Sequence, residues 1–501
     1  MANSQVQLRK PTLDKDLEKF TFTEQATHFV LRRWTGVGIA LVFLLVAMAV
    51  ASSFATGTPG VLVVAITAAL AAYMAMNIGA NDVTNNVGAA VGARAMSMGV
   101  ALVIAAVFEI AGALLAGQGV AATVASGIVD RSIFPSPDAY AWAMMAALIS
   151  AALWINIATI ANAPISTTHA IIGGVIGAGA AASGFHSVQW DAIAVIVVSW
   201  TVSPILGGVI AALFLYFIKE FIIYREDKIG AAKTWVPVLV AIMAGAFAAF
   251  IANGGTNGTL DLPFRTALLI GLGFGFATYV VTRPIVRRHA EGLDNRNQSL
   301  RTLFRIPLIC SAALLSFAHG ANDVSNAVGP LYGVVSALRS GAESGAVIPL
   351  WVMVIGAFGI SLGLLLFGPR LIRIVGTEIT KLNPMRAFCV ALSSAVAVLT
   401  ASAFAIPVSS THIAVGAVFG VGMFREWYTR NSRRRIDYIR GRGNRIAPEE
   451  EDDPVNVDET RRRYLVRRSH FMTIVSAWIV TLPVSALLSA AIFLTLNALF
   501  T

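Results

Sequence analysis

The sequence predicts an all-α polytopic membrane protein built from two inverted-topology repeats, and three observations predict it. The chain has 501 residues, of which 56% are hydrophobic and only 13% charged, with a mean hydropathy of +0.73; that composition lies outside the soluble globular range. Apolar runs of about 20 residues, the length that crosses a hydrocarbon layer of about 30 Å, recur from end to end. Finally, Gly79-Ala80-Asn81-Asp82-Val83-Thr84-Asn85 returns 241 residues later as Gly320-Ala321-Asn322-Asp323-Val324-Ser325-Asn326, each copy inside an apolar stretch.

Taken in order, residues 1–35 form a polar cytoplasmic N-terminal segment ending in Arg32-Arg33-Trp34, which reads as an anchor rather than a cleaved leader. Residues 36–60 hold an extra span and an external turn. Repeat A, 61–218, contains the runs 61–78, 99–118, 139–162, 165–182 and 191–218. Residues 219–305 combine basic loops with two linking spans, 235–253 and 264–286. The first part of repeat B, 306–424, contains 306–320, 347–367, 386–405 and 408–423; a charged cytoplasmic loop, 425–470, and a last span, 471–501, complete it. That makes about 11–13 apolar segments, because 165–182 and 408–423 each follow a proline and fit either a full span or a re-entrant hairpin. Lysines and arginines crowd into 219–234, 287–305 and 425–470, which places those loops, and the N-terminus, inside. The two motif-bearing segments then enter from opposite faces, and Thr501 ends outside.

The net charge of +10 is confined to loops, so a nucleic-acid partner is not expected. Cys310 and Cys389 lack metal-ligand spacing and read as packing residues. No nucleotide loop or nucleophile–base pair stands out, so the chain does not read as an enzyme.

An aspartate near the bilayer centre costs about 2.5–3.5 kcal/mol, so Asp82 and Asp323 need a reason to be there. Gly79 and Gly320 permit a helix break just before each Asn-Asp, and a helix restarting there would aim free N–H groups at the midplane. A second motif pair, Pro164-Ile165-Ser166-Thr167-Thr168-His169 and Pro407-Val408-Ser409-Ser410-Thr411-His412, offers hydroxyls at two more helix starts, with the proline in the first turn. Hydroxyls, amides and helix N-termini without an arginine suit a tetrahedral oxyanion that must be released. Asp82 and Asp323 would repel it, and so make sense as ligands for a co-transported cation, a proton or sodium. Glu109 is an acid within a span and is expected to be functional. His169 and His412 fit a structural or a proton-handling role equally well.

The two motif pairs resemble those of the inorganic phosphate transporter family, over about 61–218 and 306–498. The resemblance implies a phosphate symporter with inverted repeats in a bacterial-type inner membrane, driven by protons or sodium. It implies that Asn81, Asn322, Ser166, Thr167, Thr168, Ser409, Ser410 and Thr411 bind substrate, while Asp82, Asn85, Asp323, Asn326 and Glu109 couple the cation. No resident cofactor or metal is implied. Phosphate, free or as a metal complex, and the bilayer are the expected partners, with a homodimer as the candidate assembly. The chain departs from the family pattern at Ala391, where many relatives carry a glutamate, at Asn86, where a small residue is usual, and in the extra span 36–55. A sulfate permease on the same scaffold is the nearest alternative, and an anion channel the next.

Overall fold

Backbone amides in hydrocarbon have to be satisfied within their own segment, so apolar runs of this length fold as helices. The structure, a computed structural model, describes residues 34–57, 60–161, 165–254, 262–338, 347–378, 382–434 and 468–500. The polar segment before residue 34, Pro164 and residues 435–467 of the charged loop lie outside the described residues. Repeat A and its lead-in comprise α1 (Trp34–Phe54), α2 (Val61–Gly92), α3 (Met98–Ala116), α4 (Gln118–Ser126), α5 (Pro137–Ile160), α6 (Thr167–Ser183) and α7 (Trp190–Ile218). There follow α8 (Lys228–Ala252), α9 (Phe264–His289), α10 (Asn297–Leu303), α11 (Arg305–Asp323), α12 (Ser325–Leu338), α13 (Leu350–Glu378), α14 (Pro384–Ala403), α15 (Ser410–Asn431) and α16 (Arg468–Phe500). Among the described residues ten helices are long and apolar enough to cross a membrane, or eleven if α10 and the α11–α12 rod count as one bent span. The proline-led helices α6 and α15 are not among them.

Contacts between helix ends sort the turns into two faces. On one face Arg305 donates to Ala95 O (3.3 Å), Asn295 donates to Glu226 O (2.6 Å), and Tyr428 and Arg434 both donate to the Glu220 carboxylate (2.6 and 3.0 Å). On the other, Asp130 N donates to Ser187 O (2.8 Å), and the Arg131 guanidinium donates to the carbonyls of Ser336 and Ala337 at the end of α12. Gly60 lies against Leu338 on that face, Phe54 stacks on Trp351, and Trp142 stacks on Phe500. α2 therefore runs from the second face to the first, and α11–α12 runs the opposite way.

The two halves grip each other reciprocally. α2 lies along α13, and α11 lies along α3. A Cβ on Gly79 would sit 1.9 Å from Ile360 O, and one on Gly363 2.0 Å from Met76 O; in the mirrored crossing, Gly320 would meet Glu109 O at 2.2 Å and Gly112 would meet Phe317 O at 2.0 Å. The same exchange joins α6 to α16 and α15 to α7, through Gly177 against Ala486 O and Gly420 against Gly208 O. With lipid outside, apolar burial does little to hold such helices together, and close backbone approach supplies the packing instead.

Those contacts correct two expectations. No break precedes Asn-Asp: α2 continues from Val61 through Gly79 and Asp82 to Gly92. In the second copy the only interruption falls after Asp323, at Val324, whose backbone remains right-handed helical (φ −57°, ψ −30°). The 44° bend is at the α10–α11 junction, away from the motif. The motif glycines are there for interhelical approach, not for backbone freedom. Likewise Pro407 is not in the first turn of α15, which begins at Ser410 after the N-cap Ser409.

Gly320→Ala is expected to lower the thermal unfolding midpoint of the detergent-solubilised protein, because a methyl driven into a backbone carbonyl costs about 1–3 kcal/mol. Gly99→Ala, with nothing within 4 Å of its Cβ, is expected to leave the midpoint unchanged or raise it. Equal midpoints for the two variants would show that close approach is not what Gly320 provides.

Candidate functional site

The two aspartates sit where the antiparallel motif helices cross the middle of the molecule, and both are fully buried. Each is served by the N-terminus of a proline-led helix. Thr167, the first residue of α6, donates to Asp82 Oδ2 (3.0 Å), and its counterpart Ser410, the first residue of α15, donates to Asp323 Oδ2 (2.8 Å). The next hydroxyls cross between halves: Asn85 Nδ2 donates to Thr411 Oγ1 (2.9 Å), and Asn326 Nδ2 donates to Thr168 Oγ1 (3.2 Å). Thr411 in turn donates to Asp82 Oδ1 (3.1 Å), which also accepts from Asn81 (2.9 Å) and Asn85 (3.3 Å). Thr168 donates to Val408 O (3.0 Å), tying one helix start to the other.

The first turn of a helix leaves its amides unpaired and carries a partial charge of about +0.5. Ser166 and Ser409 each cap one such turn, accepting from the amides of His169 and His412 (both 3.2 Å). The starts of α6 and α15 thus both lie beside an aspartate, and a helix N-terminus is a place where an anion can bind. Asn322 holds the second loop: its Oδ1 accepts from Val408 N (3.1 Å), and its Nδ2 donates to Ser402 Oγ (3.0 Å) and Ile406 O (3.2 Å).

One group was not anticipated from the sequence. His319 is fully buried, its Nε2 2.9 Å from Asp323 Oδ2 and 3.8 Å from Asp82 Oδ2, its Nδ1 3.2 Å from Glu109 Oε1. Asn86 donates to that same Glu109 oxygen (2.7 Å). His319 and Asp323 are four residues apart, hence on one helix face, and a histidine one turn before an intramembrane acid was the available signal. The trio exists in one copy only. At the motif offset His319 corresponds to Ile78 and Asn86 to Ala327; in the mirrored glycine crossing Glu109 corresponds to Ile360.

Three buried carboxyl groups thus face one imidazole, and ionising all three would leave negative charge in excess. Removing such a charge from water costs several kcal/mol unless a partner arrives. Among the described residues Asp323 Oδ1, Asn326 Oδ1, Glu109 Oε2 and Asn86 Oδ1 have no hydrogen-bond partner. All four are acceptors open to a hydrogen-bond donor or to a cation. Asp82, His319 and Asp323 offer ligand atoms within 4.8 Å of one another, a span that a single cation could occupy.

His169 and His412 are not part of this cluster. Their rings meet edge to face, with centroids 4.5 Å apart, between Trp200 (3.9 Å from His169) and Trp478 (3.6 Å from His412). That stack joins α6, α15, α7 and α16 behind the helix starts.

Comparisons with known proteins identify relatives of this chain. The model of the phosphate transporter family matches residues 78–489. A Helicobacter pylori (strain J99) protein named "Putative phosphate permease" is 40% identical, covering 95% of this chain and 97% of its own length. A Pyrococcus abyssi protein of the same designation is 32% identical, covering 78% and 88%. A solved structure titled "The sodium-dependent phosphate transporter" superposes with a TM-score of 0.76 at 32% identity, over 88% of this chain and all of that one. The chain is a multi-pass membrane protein of the phosphate transporter family, a transporter rather than an enzyme, and its function is phosphate transport.

Proposed function

We propose that the chain is a secondary active symporter that imports inorganic phosphate together with sodium, by exposing a central site between repeat A and repeat B to each face in turn. The observation that carries this reading is the double use of the hydroxyls. Thr167, Ser410 and Thr411, poised at two helix N-termini, spend their protons on Asp82 and Asp323. A cation on the carboxylates takes over that role and frees the hydroxyls to turn toward phosphate, alongside the first-turn amides. Cation binding therefore precedes phosphate binding, and neither ligand is held well alone. Asn81, Asn85, Asn322 and Asn326 keep the loops and carboxylates in register, and Glu109 with His319 adjusts the charge on the Asp323 side.

Sodium suits a donor set of carboxylate, carboxamide and hydroxyl oxygens, and the similar solved structure is titled sodium-dependent. The antiparallel motif helices support alternating exposure, since inverted repeats can exchange conformations and so turn a central site from one face to the other. The face that carries the 219–228, 290–305 and 425–434 turns is the basic one, which supports a cytoplasmic N-terminus, an external C-terminus and residence in an inner membrane. Each net positive charge carried inward down the potential contributes about 2.3 kcal/mol per 100 mV to accumulation.

The test is uptake of labelled phosphate into proteoliposomes under an inward sodium gradient or an inward proton gradient, with sulfate as competitor. Accumulation on sodium alone, unaffected by sulfate, is the expected result; accumulation on the proton gradient alone would replace the ion, and equilibration without accumulation would make the protein a channel. Asp82→Asn and Asp323→Asn are each expected to insert normally and to lose accumulation. Full sodium-driven uptake in both would remove the carboxylates from the mechanism. Thr411→Val is expected to raise KM for phosphate about ten-fold, the value of one hydrogen bond to a charged group.

A further inference from the structure

A crevice of about 940 Å3 lies between α1, α2, α5 and α13, in the half of the molecule nearer the basic face. Ala80, the neighbour of Asn81 in the first motif, is among its lining residues. Its wall carries a polar belt of Tyr73, Asn77, Asn156 and Thr159, and Arg370 stands on its rim. Asn156 and the Tyr73 hydroxyl are hydrogen-bonded, and Asn77 donates to Tyr73 O (2.9 Å). All four belt residues are partly exposed, and Arg370 is exposed with no carboxylate partner among the described residues.

The mirrored position in the other half is shut and apolar. At the motif offsets Tyr73, Asn77 and Asn156 correspond to Leu314, Ala318 and Leu399, all buried. Thr159 corresponds to Ser402, which is buried and accepts from Asn322. There Thr123 also donates to Ala405 O (2.8 Å), and Phe247 of α8 lies edge-on against Phe317. Polar groups on an otherwise lipid-immersed helix bundle are expensive unless they line water or a polar path, and the side of the molecule that keeps them is the side that is open.

We infer that this crevice is the route by which phosphate leaves the central site for the cytoplasmic face, with Asn77 and Thr159 lining it and Arg370 positioning the departing anion at its mouth. The inference rests on the proposed phosphate symport. α1, which lies outside the duplicated core, is on this reading the outer wall of the route. A fixed guanidinium at the rim raises the local anion concentration on one face only, so its effect is directional.

The test uses the full chain in proteoliposomes of known orientation. In a Cys310→Ser, Cys389→Ser background, Asn77→Cys is expected to react with a membrane-impermeant anionic methanethiosulfonate added at the cytoplasmic face and not with the same reagent at the other face. In phosphate exchange, Arg370→Gln is expected to raise KM measured from the cytoplasmic face on the order of five-fold, with KM from the opposite face unchanged and Arg370→Lys restoring the wild-type value. A merely structural role would move both. An unreactive Asn77→Cys, or equal shifts of both KM values, overturns the route while wild-type accumulation leaves the symport reading standing. A wild-type protein that exchanges no phosphate overturns both.

Discussion

Two fully buried carboxylates in a helix bundle surrounded by hydrocarbon are the constraint on which the rest of the structure depends. A permanent arginine would neutralise them and would also hold phosphate too firmly to let it go. The chain instead surrounds Asp82 with Thr167, Thr411 and two carboxamides, and sets Ser410 and His319 against Asp323. Hydroxyls dampen the charge without cancelling it, and among the described residues several acceptors around the site keep no hydrogen-bond partner. On the proposed symport, a cation that arrives and departs supplies the balance.

The frame that holds these groups is symmetric, whereas the charges are not. Gly79 with Gly363, and Gly320 with Gly112, bring each motif helix into backbone contact with a helix of the other half, so neither half can form its site alone. Onto that frame Asn86, Glu109 and His319 are added on one side, where the equivalents are Ala327, Ile360 and Ile78. The result is two carboxylates in unequal surroundings, Asp82 held by two hydroxyls and two carboxamides and Asp323 by one hydroxyl and an imidazole. The polar crevice under α1 is a second asymmetry laid on a duplicated scaffold.

Much of this was legible in the sequence because duplication repeats it. The two Gly-Ala-Asn-Asp copies, the two Pro-x-Ser-[Thr/Ser]-Thr-His copies and the opposed charge of the loops identify the motif helices, their antiparallel sense and most of the residues around the aspartates. The helix break was misread because a glycine before a polar pair can mean left-handed freedom or close approach, and only the facing helix, Ile360 in one case and Glu109 in the other, distinguishes them. His319 was missed because a single histidine in an apolar run resembles any packed ring until Glu109, 210 residues away in sequence, is placed beside it. The sequence left His169 and His412 equally open to a structural and a proton-handling role, and the Trp200–His169–His412–Trp478 stack that packs them together becomes visible only when four helices are brought to one place.

The central claim is that the cation creates the phosphate site. Equilibrium binding of labelled phosphate to the purified protein, measured at constant pH and ionic strength across a sodium series, tests it most directly. The account predicts that the phosphate Kd falls steeply as sodium rises and that phosphate tightens sodium binding by the same factor, since linkage is reciprocal. A phosphate Kd independent of sodium would contradict it.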